Sequence, residues 1–227
     1  MKKLYFLLLS AGLFVSCDKE NVSPDITYPS TYKTIRFYNT TPVIMYTSGG
    51  QVKDQARVNA FADRYSDWYF LENKEQAPSS EQYLKLLSAE EAESSSNGTT
   101  NSLDVHKEGD LFVFTSKTEG TVTVTTGSAH FRDVQFAVSK YKPVITEWQQ
   151  LAPATGYAYT YKTKNRFYAH LKNKELQLPR MFITLKSTNG STITSATSNV
   201  FDAAGLTELN AGDTLIVQSF INAAVKQ

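Results

Sequence analysis

Three histidines are the side chains of this sequence best suited to proton transfer near neutral pH. They are His106, His130 and His170, which lie 24 and 40 residues apart. This spacing matches no short metal-ligand motif. We therefore expect surface or loop histidines, and the sequence indicates no metal site and no cofactor.

Two Ser-x-x-Lys patterns occur, Ser30 with Lys33 and Ser139 with Lys142. On a helix, this spacing places a lysine near a serine nucleophile. Both copies flank predicted strands, and the Ser-Asp-Asn and Lys-Thr-Gly motifs that accompany the pattern in penicillin-binding enzymes do not occur. The chain also has no Gly-x-Ser-x-Gly elbow and no glycine-rich phosphate loop. The sequence thus assigns no catalytic residue and favours a non-enzymatic role.

A stripe of tyrosines is the candidate ligand-binding feature of the sequence. Tyr157, Tyr159 and Tyr161 alternate along one predicted strand, and Tyr168 lies on the next. Aromatic faces stack on sugars and fit apolar ligands, and the hydroxyl group can form a hydrogen bond. The other interpretation is that these tyrosines line the core side of a sheet.

Composition excludes several classes of protein. Of the 227 residues, 41% are hydrophobic and 20% are charged, which is typical of a folded domain rather than a disordered one. The formal net charge is +1, and basic residues are scattered, so the phosphate-neutralising clusters of nucleic-acid-binding proteins are missing. The single cysteine excludes an internal disulfide and a cysteine-based metal site.

The N-terminus has the pattern of an export signal. Lys2 and Lys3 precede a twelve-residue apolar stretch, Leu4 to Val15, and small Ser16 stands before Cys17. The stretch is shorter than the roughly 20 residues that a transmembrane helix needs. We expect it to be cleaved.

The segment LFVSC at 13–17 resembles the lipobox of bacterial lipoproteins, although Phe14 replaces the usual aliphatic residue. The resemblance implies cleavage before Cys17, acylation of its thiol and stable anchoring in a membrane by two or more acyl chains. Asp18, Lys19 and Glu20 resemble the surface-export signal of Bacteroidota-type envelope lipoproteins. The resemblance therefore implies a lipid-anchored protein at the outer membrane or cell surface, whose partner is the lipid bilayer.

Three segments follow from this interpretation. Residues 1–16 are the signal peptide, 17–31 form a polar, proline-containing tether, and 32–227 form a single β-rich domain. In the first part of that domain we predict an edge strand at Thr34 to Tyr38 and a hairpin arm at Pro42 to Thr47.

A helix is predicted to begin at Asp54, since apolar residues then recur at helical spacing. Pro78 opens a second predicted helix, through Leu87, and a flexible loop is predicted over 90–101.

From Leu111 the apolar period becomes two, which indicates strands. Leu111 to Thr115 and Thr121 to Thr126 predict a hairpin. Further strands are predicted through Val134, Phe136 and Val138, and in four later segments. Those segments are 157–161, 167–171, 181–185 and 214–220.

The predicted fold is α+β and mainly antiparallel β, a barrel or sandwich of about 8–11 strands with one or two helices inserted near the N-terminus. The predicted function is a non-enzymatic envelope lipoprotein that binds a glycan, an apolar small molecule or a protein partner, and no nucleic acid. The alternative is an envelope hydrolase with dispersed catalytic groups, for which His130 or His170 and a loop carboxylate are the candidates.

Overall fold

The computed structural model describes residues 26–65, 75–151, 158–188 and 193–227, and these are mostly antiparallel β-sheet. The described strands are β1 (Ser30–Asn39), β2 (Ile44–Thr47), β3 (Gly50–Val52), β4 (Gln82–Leu86), β5 (Glu91–Ser96), β6 (Thr99–Glu108), β7 (Leu111–Ser116), β8 (Gly120–Thr125), β9 (Val144–Leu151), β10 (Ala158–Lys164), β11 (Arg166–Lys172), β12 (Glu175–Lys186), β13 (Ile193–Ser198) and β14 (Thr214–Lys226). The described helices are α1 (Gln55–Tyr65), α2 (Thr126–Ala137) and a 3-10 helix (Ala203–Glu208). No described helix has the length and apolar character that crossing a membrane requires.

Eight of the strands close into a barrel. Each is hydrogen-bonded to the next in the order β1, β4, β5, β6, β7, β11, β12 and β14, and β14 pairs again with β1. All of these pairings are antiparallel. The predicted β-rich, mainly antiparallel fold is therefore confirmed, and of the two predicted architectures the barrel is present.

Apolar side chains fill one half of the barrel, which we call the closed end. Side chains alternate along each strand, so every second residue points inward, and an eight-stranded barrel is just wide enough for such side chains to meet. The β1 residues at this end are Ser30 and Tyr32, paired with Leu86 and Leu84 of β4. The buried cluster comprises Tyr32, Leu84, Leu86, Ala92, Leu103, Val105, Phe112, Phe114, Ala169, Leu176 and Ala224.

The strands β12 and β14 are longer than the barrel and carry the sheet beyond its open end. There β13 pairs with β12, and β2 and β3 add to the β14 side. One face of this extension packs against α2 and the 3-10 helix through Met181, Ile183 and Val217, among others. The other face packs against α1, where Met45 and Ile216 meet Val58 and Ala62. Strands β8, β10 and β9 form a separate three-stranded sheet.

The helix predicted to begin at Asp54 is confirmed as α1. The backbone N–H of Arg57 donates to Asp54 Oδ1 at 3.2 Å, so Asp54 caps the first turn as predicted. The strand at 34–38 is also present, but the prediction of an edge strand is wrong, because β1 lies between β4 and β14.

The predictions for 78–101 are wrong. The second helix is instead strand β4, and the flexible loop is the hairpin of β5 and β6, whose turn places Asn97 and Gly98 at positive φ. Serine and threonine dominate β5 and the start of β6, and no apolar alternation marks them as strands. The reason is structural, because Ser94 and Asn101 line a polar cavity at the open end.

Two predictions after Leu111 are also wrong. Strands β7 and β8 do not form a hairpin, because β7 pairs with β6 and β11 whereas β8 pairs with β10. Val134 lies in α2 and Val138 directly follows it. Both are buried in the cluster that contains Leu185, so the alternation of apolar residues here does not mark a strand. The barrel has eight strands, within the predicted range of about 8–11, and the described residues contain 14 strands in all. The second helix, α2, lies mid-chain rather than near the N-terminus.

Candidate functional site

Two cavities lie at the open end of the barrel. The larger has a volume of about 530 Å³ and lies among the barrel, the three-stranded sheet and the C-terminal end of α2. The smaller has a volume of about 370 Å³ and is bounded by β1, β4, β12, β14 and the segment 76–79. Arg180 and Thr197 line both. Small-molecule sites in proteins span about 300–1,000 Å³, so each cavity is large enough for a ligand.

A separation of two strands opens the barrel wall beside the larger cavity. Strand β12 pairs with β11 only through Glu175–Gln177 and with β13 only from Met181 onward. Between these segments, the β11-facing edge of β12 has no described strand partner. Pro179 lies in this gap. Because proline has no backbone N–H, this residue needs no strand partner to accept a hydrogen bond. The gap gives Arg180 access to both cavities.

Cationic side chains dominate the charge of the larger cavity. Lys142, Lys164, Arg166 and Arg180 line it, and Glu119 is the carboxylate among its described lining residues. The Lys142 ammonium group donates to three backbone carbonyls at the end of α2, each at 2.8 Å, so it has no free donor for a ligand. The cavity still carries an excess of positive charge.

The smaller cavity combines aromatic rings with amide side chains. Phe182 and Phe220 stack with their ring centroids 4.0 Å apart, and Phe37 lies across from them. The amide and hydroxyl side chains of its lining are Asn39, Gln76, Ser79, Gln82, Thr197 and Asn222. Arg180 is the charged residue among those that line it.

Arg180 is a partly buried cation without a counterion among the described residues. Its Nε is buried and has no hydrogen-bond partner, and none of the ion pairs found in the described ranges includes it. Burial lowers the pKa of its guanidinium group from the usual value. Arg36 provides the contrast, because it pairs with Glu175 at 2.7 Å and with Glu75 at 3.3 Å. A buried donor atom without a partner is costly and is usually explained by a missing partner, so Arg180 is a candidate for ligand binding.

The structure separates the members of the tyrosine stripe. Tyr161 is buried on β10, lines the larger cavity and contacts Phe136 edge-on at 6.0 Å. Burial raises the pKa of Tyr161. Tyr168 is buried on β11, stacks on Tyr141 at 3.4 Å and lines neither cavity. Tyr157 lies outside the described residues, as does the side chain of Tyr159.

The three histidines lie apart from the cavities. His106 is exposed on β6 and contacts Glu108 at 3.0 Å, and His170 is exposed on β11. His130 Nε2 lies 2.7 Å from Asp213 Oδ2. No described group of three or more histidine, cysteine, aspartate or glutamate residues could hold a metal ion.

Both oxygens of the Asp213 carboxylate accept hydrogen bonds. Besides His130, it accepts hydrogen bonds from the backbone N–H groups of Asn210 at 2.8 Å and Thr188 at 3.1 Å. Burial by itself raises the pKa of Asp213, but the bonds from His130, Thr188 and Asn210 outweigh it and hold the pKa below its usual value. The pair therefore brings a histidine and a carboxylate together, but in a structural arrangement away from both cavities.

The lysines of the two Ser-x-x-Lys patterns have other partners. Lys33 pairs with Glu81 at 2.5 Å, and Ser30 donates to the Thr27 carbonyl. Lys142 donates to three carbonyls, whereas the Ser139 hydroxyl contacts Gln135 O and Ser198 Oγ, each at 2.6 Å. Neither pattern forms a nucleophile with its base.

Comparison with models of known protein families, with curated proteins and with solved structures finds no match to this chain. Cys17, the predicted lipidation site, lies outside the described residues. The proposed function is therefore based on the two cavities and on the predicted signal peptide.

Sequence reasoning missed Arg180, although a signal for it is present. It stands at an inward position between the apolar residues Leu178 and Phe182, which lie two positions before and after it on the same face of β12. A charge at a core position of a strand predicts either an ion pair or a ligand. Asn222 was missed for the same reason, since it lies between the apolar residues Phe220 and Ala224 on the inward face of β14.

Proposed function

We propose that this protein is an envelope lipoprotein, anchored through acylated Cys17, whose barrel binds a small polar ligand without transforming it. The observation that carries the proposal is the asymmetry of the barrel interior. One end is filled with apolar side chains, and the other is open to two cavities whose linings include charged, amide and hydroxyl side chains. A fold held together by its closed end can leave the open end free for binding.

The linings favour a glycan over the other two candidate ligands. A long acyl chain needs a deep apolar lumen, but Phe114, Leu86 and Leu176 fill that space and are fully buried. Aromatic faces beside amide side chains are the groups that sugars use for stacking and hydrogen bonding. A concave site of this size also suits a small molecule better than the flat surface of a protein partner.

The direction of the chain is compatible with anchoring. The predicted tether leads into Ser30, which lies at the closed end because it pairs with Leu86. A chain anchored at Cys17 would therefore reach the barrel at the end opposite the cavities. A lipoprotein tethered in this way can present its open end away from the bilayer.

The hydrolase alternative has one supporting contact, between His130 and Asp213. Because both oxygens of the Asp213 carboxylate already have partners and neither His130 nor Asp213 lines either cavity, we favour binding over catalysis.

Saturation-transfer NMR on the detergent-extracted mature protein, with a panel of neutral and acidic monosaccharides, tests the proposal. Ser79→Trp places a bulky ring at the exposed rim of the smaller cavity, and Ala89→Trp places one in the β4–β5 turn at the closed end. We expect saturation transfer to at least one sugar, lost in Ser79→Trp and kept in Ala89→Trp. Equal signals in both variants, or none from any sugar, would contradict binding at the open end.

A further inference from the structure

The smaller cavity holds one positive charge and no negative charge among its described lining residues. Arg180 supplies that charge, and its Nε donor has no partner. Asparagine, glutamine, serine and threonine side chains make up the rest of the polar lining, and none of these is anionic. A single planar guanidinium group in such surroundings matches one carboxylate, which can accept two parallel N–H bonds.

A second unmet polar group lies on the neighbouring strand. Asn222 Oδ1 is buried without a hydrogen-bond partner and lines the same cavity. In the pairing of β12 with β14, Arg180 is opposite Phe220 and Leu178 is opposite Asn222. Arg180 and Asn222 are therefore diagonal neighbours on one face, with Cα atoms about 7–8 Å apart. Arg180 Nε lacks a hydrogen-bond acceptor, and Asn222 Oδ1 lacks a hydrogen-bond donor.

An apolar wall completes the site. The stacked rings of Phe182 and Phe220 stand on the same inward face as Arg180 and Asn222. A sugar ring offers an apolar C–H face to such a wall and hydroxyl groups at its edge. Its hydroxyl hydrogens can satisfy Asn222 Oδ1, which a simple fatty acid has no group to do.

We propose that the smaller cavity binds an acidic sugar, whose carboxylate accepts hydrogen bonds from Arg180, whose hydroxyl donates to Asn222 Oδ1 and whose ring packs on Phe182 and Phe220. This inference rests on the proposed binding function and names the class of ligand. It also explains why the buried Nε of Arg180 has no partner within the protein: the ligand supplies the counterion.

Calorimetric titration of the mature protein with D-glucuronate tests the charge requirement. The methyl ester of glucuronate is the matched neutral ligand, and glucose bearing a sulfate ester distinguishes a carboxylate site from a general anion site. We expect glucuronate to bind about 10- to 100-fold more tightly than its methyl ester, because a hydrogen bond to a charged group is lost with the ester. The sulfate can also accept two bonds from a guanidinium group, but it is tetrahedral and larger than a carboxylate, so we expect it to bind more weakly than glucuronate.

Two variants test the assigned residues. Arg180→Gln should weaken glucuronate about 10- to 100-fold while changing the affinity for the ester about twofold or less. The control Arg57→Gln removes an exposed charge from α1 and should leave both affinities unchanged. Asn222→Asp keeps the shape of the side chain but places a carboxylate of the protein beside Arg180. Because that carboxylate can pair with Arg180, the variant should bind glucuronate no more tightly than its methyl ester.

The outcomes separate the two proposals. If the ester binds as tightly as glucuronate and Arg180→Gln changes neither affinity, the acidic-sugar inference is wrong, and sugar binding at the open end survives. If the sulfate ester binds as well as glucuronate, the carboxylate assignment is overturned. If no sugar of either charge binds, the proposed function fails together with the inference.

Discussion

His130 of α2 and Asp213 of the turn before β14 are joined by a contact of 2.7 Å between Nε2 and Oδ2. Asp213 is buried, and 83 residues separate the two in sequence. Because the carboxylate also accepts from Thr188 and Asn210, one side chain ties α2, the end of β12 and the start of β14 together. This contact holds α2 against the sheet extension that positions Arg180.

The Asp213 contact predicts a loss of stability in acid. The pKa of Asp213 is lowered in the folded protein, so its contribution is present above the ordinary aspartate pKa of about 3.9 and is lost as pH falls through the lowered value. Asp213→Asn should cost about 1–3 kcal/mol in urea unfolding at pH 7, because the charged acceptor is lost. The difference from wild type should shrink at low pH. The control is Asp110→Asn in an exposed turn, and an equal loss in that variant would refute this assignment.

Replacement of Arg180 is predicted to stabilise the protein. Arg180→Met removes a partly buried charge whose buried Nε donor has no partner, and it keeps an unbranched side chain, so the free energy of unfolding should rise by about 1–3 kcal/mol. The surface variant Arg57→Met should change it by about 0.5 kcal/mol or less. Urea denaturation without ligand measures both. A destabilised Arg180→Met would mean that the guanidinium group has a structural role, and the ligand-binding assignment would lose its basis.

Sequence patterns predicted the elements in which one face is apolar and the other polar. Asp54 and the apolar spacing after it predicted α1, and the alternation at 167–171 and 181–185 predicted β11 and β12. The patterns failed where a strand faces the polar cavity, because Ser94 and Asn101 then point inward and no alternation results. They failed again at Val134 and Val138, which a helical face buries just as a strand would.

The candidate site was less predictable than the fold. Tyr161 was identified and lines the larger cavity, but Arg180 and Asn222 were not identified. Each is a polar residue between apolar neighbours on one face of its strand, and only the register of β12 against β14 shows that the two share that face. That register depends on residues about 40 positions apart, and no local pattern encodes such a pairing.

The contact between the 3-10 helix and α2 predicts a strict need for glycine at position 205. A Cβ atom there would lie 2.1 Å from the Ala137 carbonyl carbon and 2.4 Å from the Val138 nitrogen, both backbone atoms. Gly205→Ala should therefore destabilise the fold by about 1–3 kcal/mol or more. At Gly49 the nearest atom would be Thr47 Oγ1 at 3.6 Å, so Gly49→Ala should be within about 0.5 kcal/mol of wild type. Equal thermal unfolding of the two variants would rule out this packing.

The proposed acylation of Cys17 can be tested by mass. The intact protein extracted from membranes should begin at Cys17 and carry the added mass of acyl chains. Cys17→Ala should lose both the cleavage and the acyl mass. An unmodified chain in the wild-type sample would remove the anchor from the proposed function, whereas binding by the barrel would remain open to test.

Hydrogen exchange with and without saturating D-glucuronate tests most directly that the open end of the barrel is the ligand site. If the open end is the ligand site, D-glucuronate should slow amide exchange in segment 76–82, around Arg180 in β12 and around Asn222 in β14. Exchange in the β4–β5 turn at the closed end should be the same with and without the ligand. Slowing confined to the closed end, or to β8–β10, would contradict this assignment.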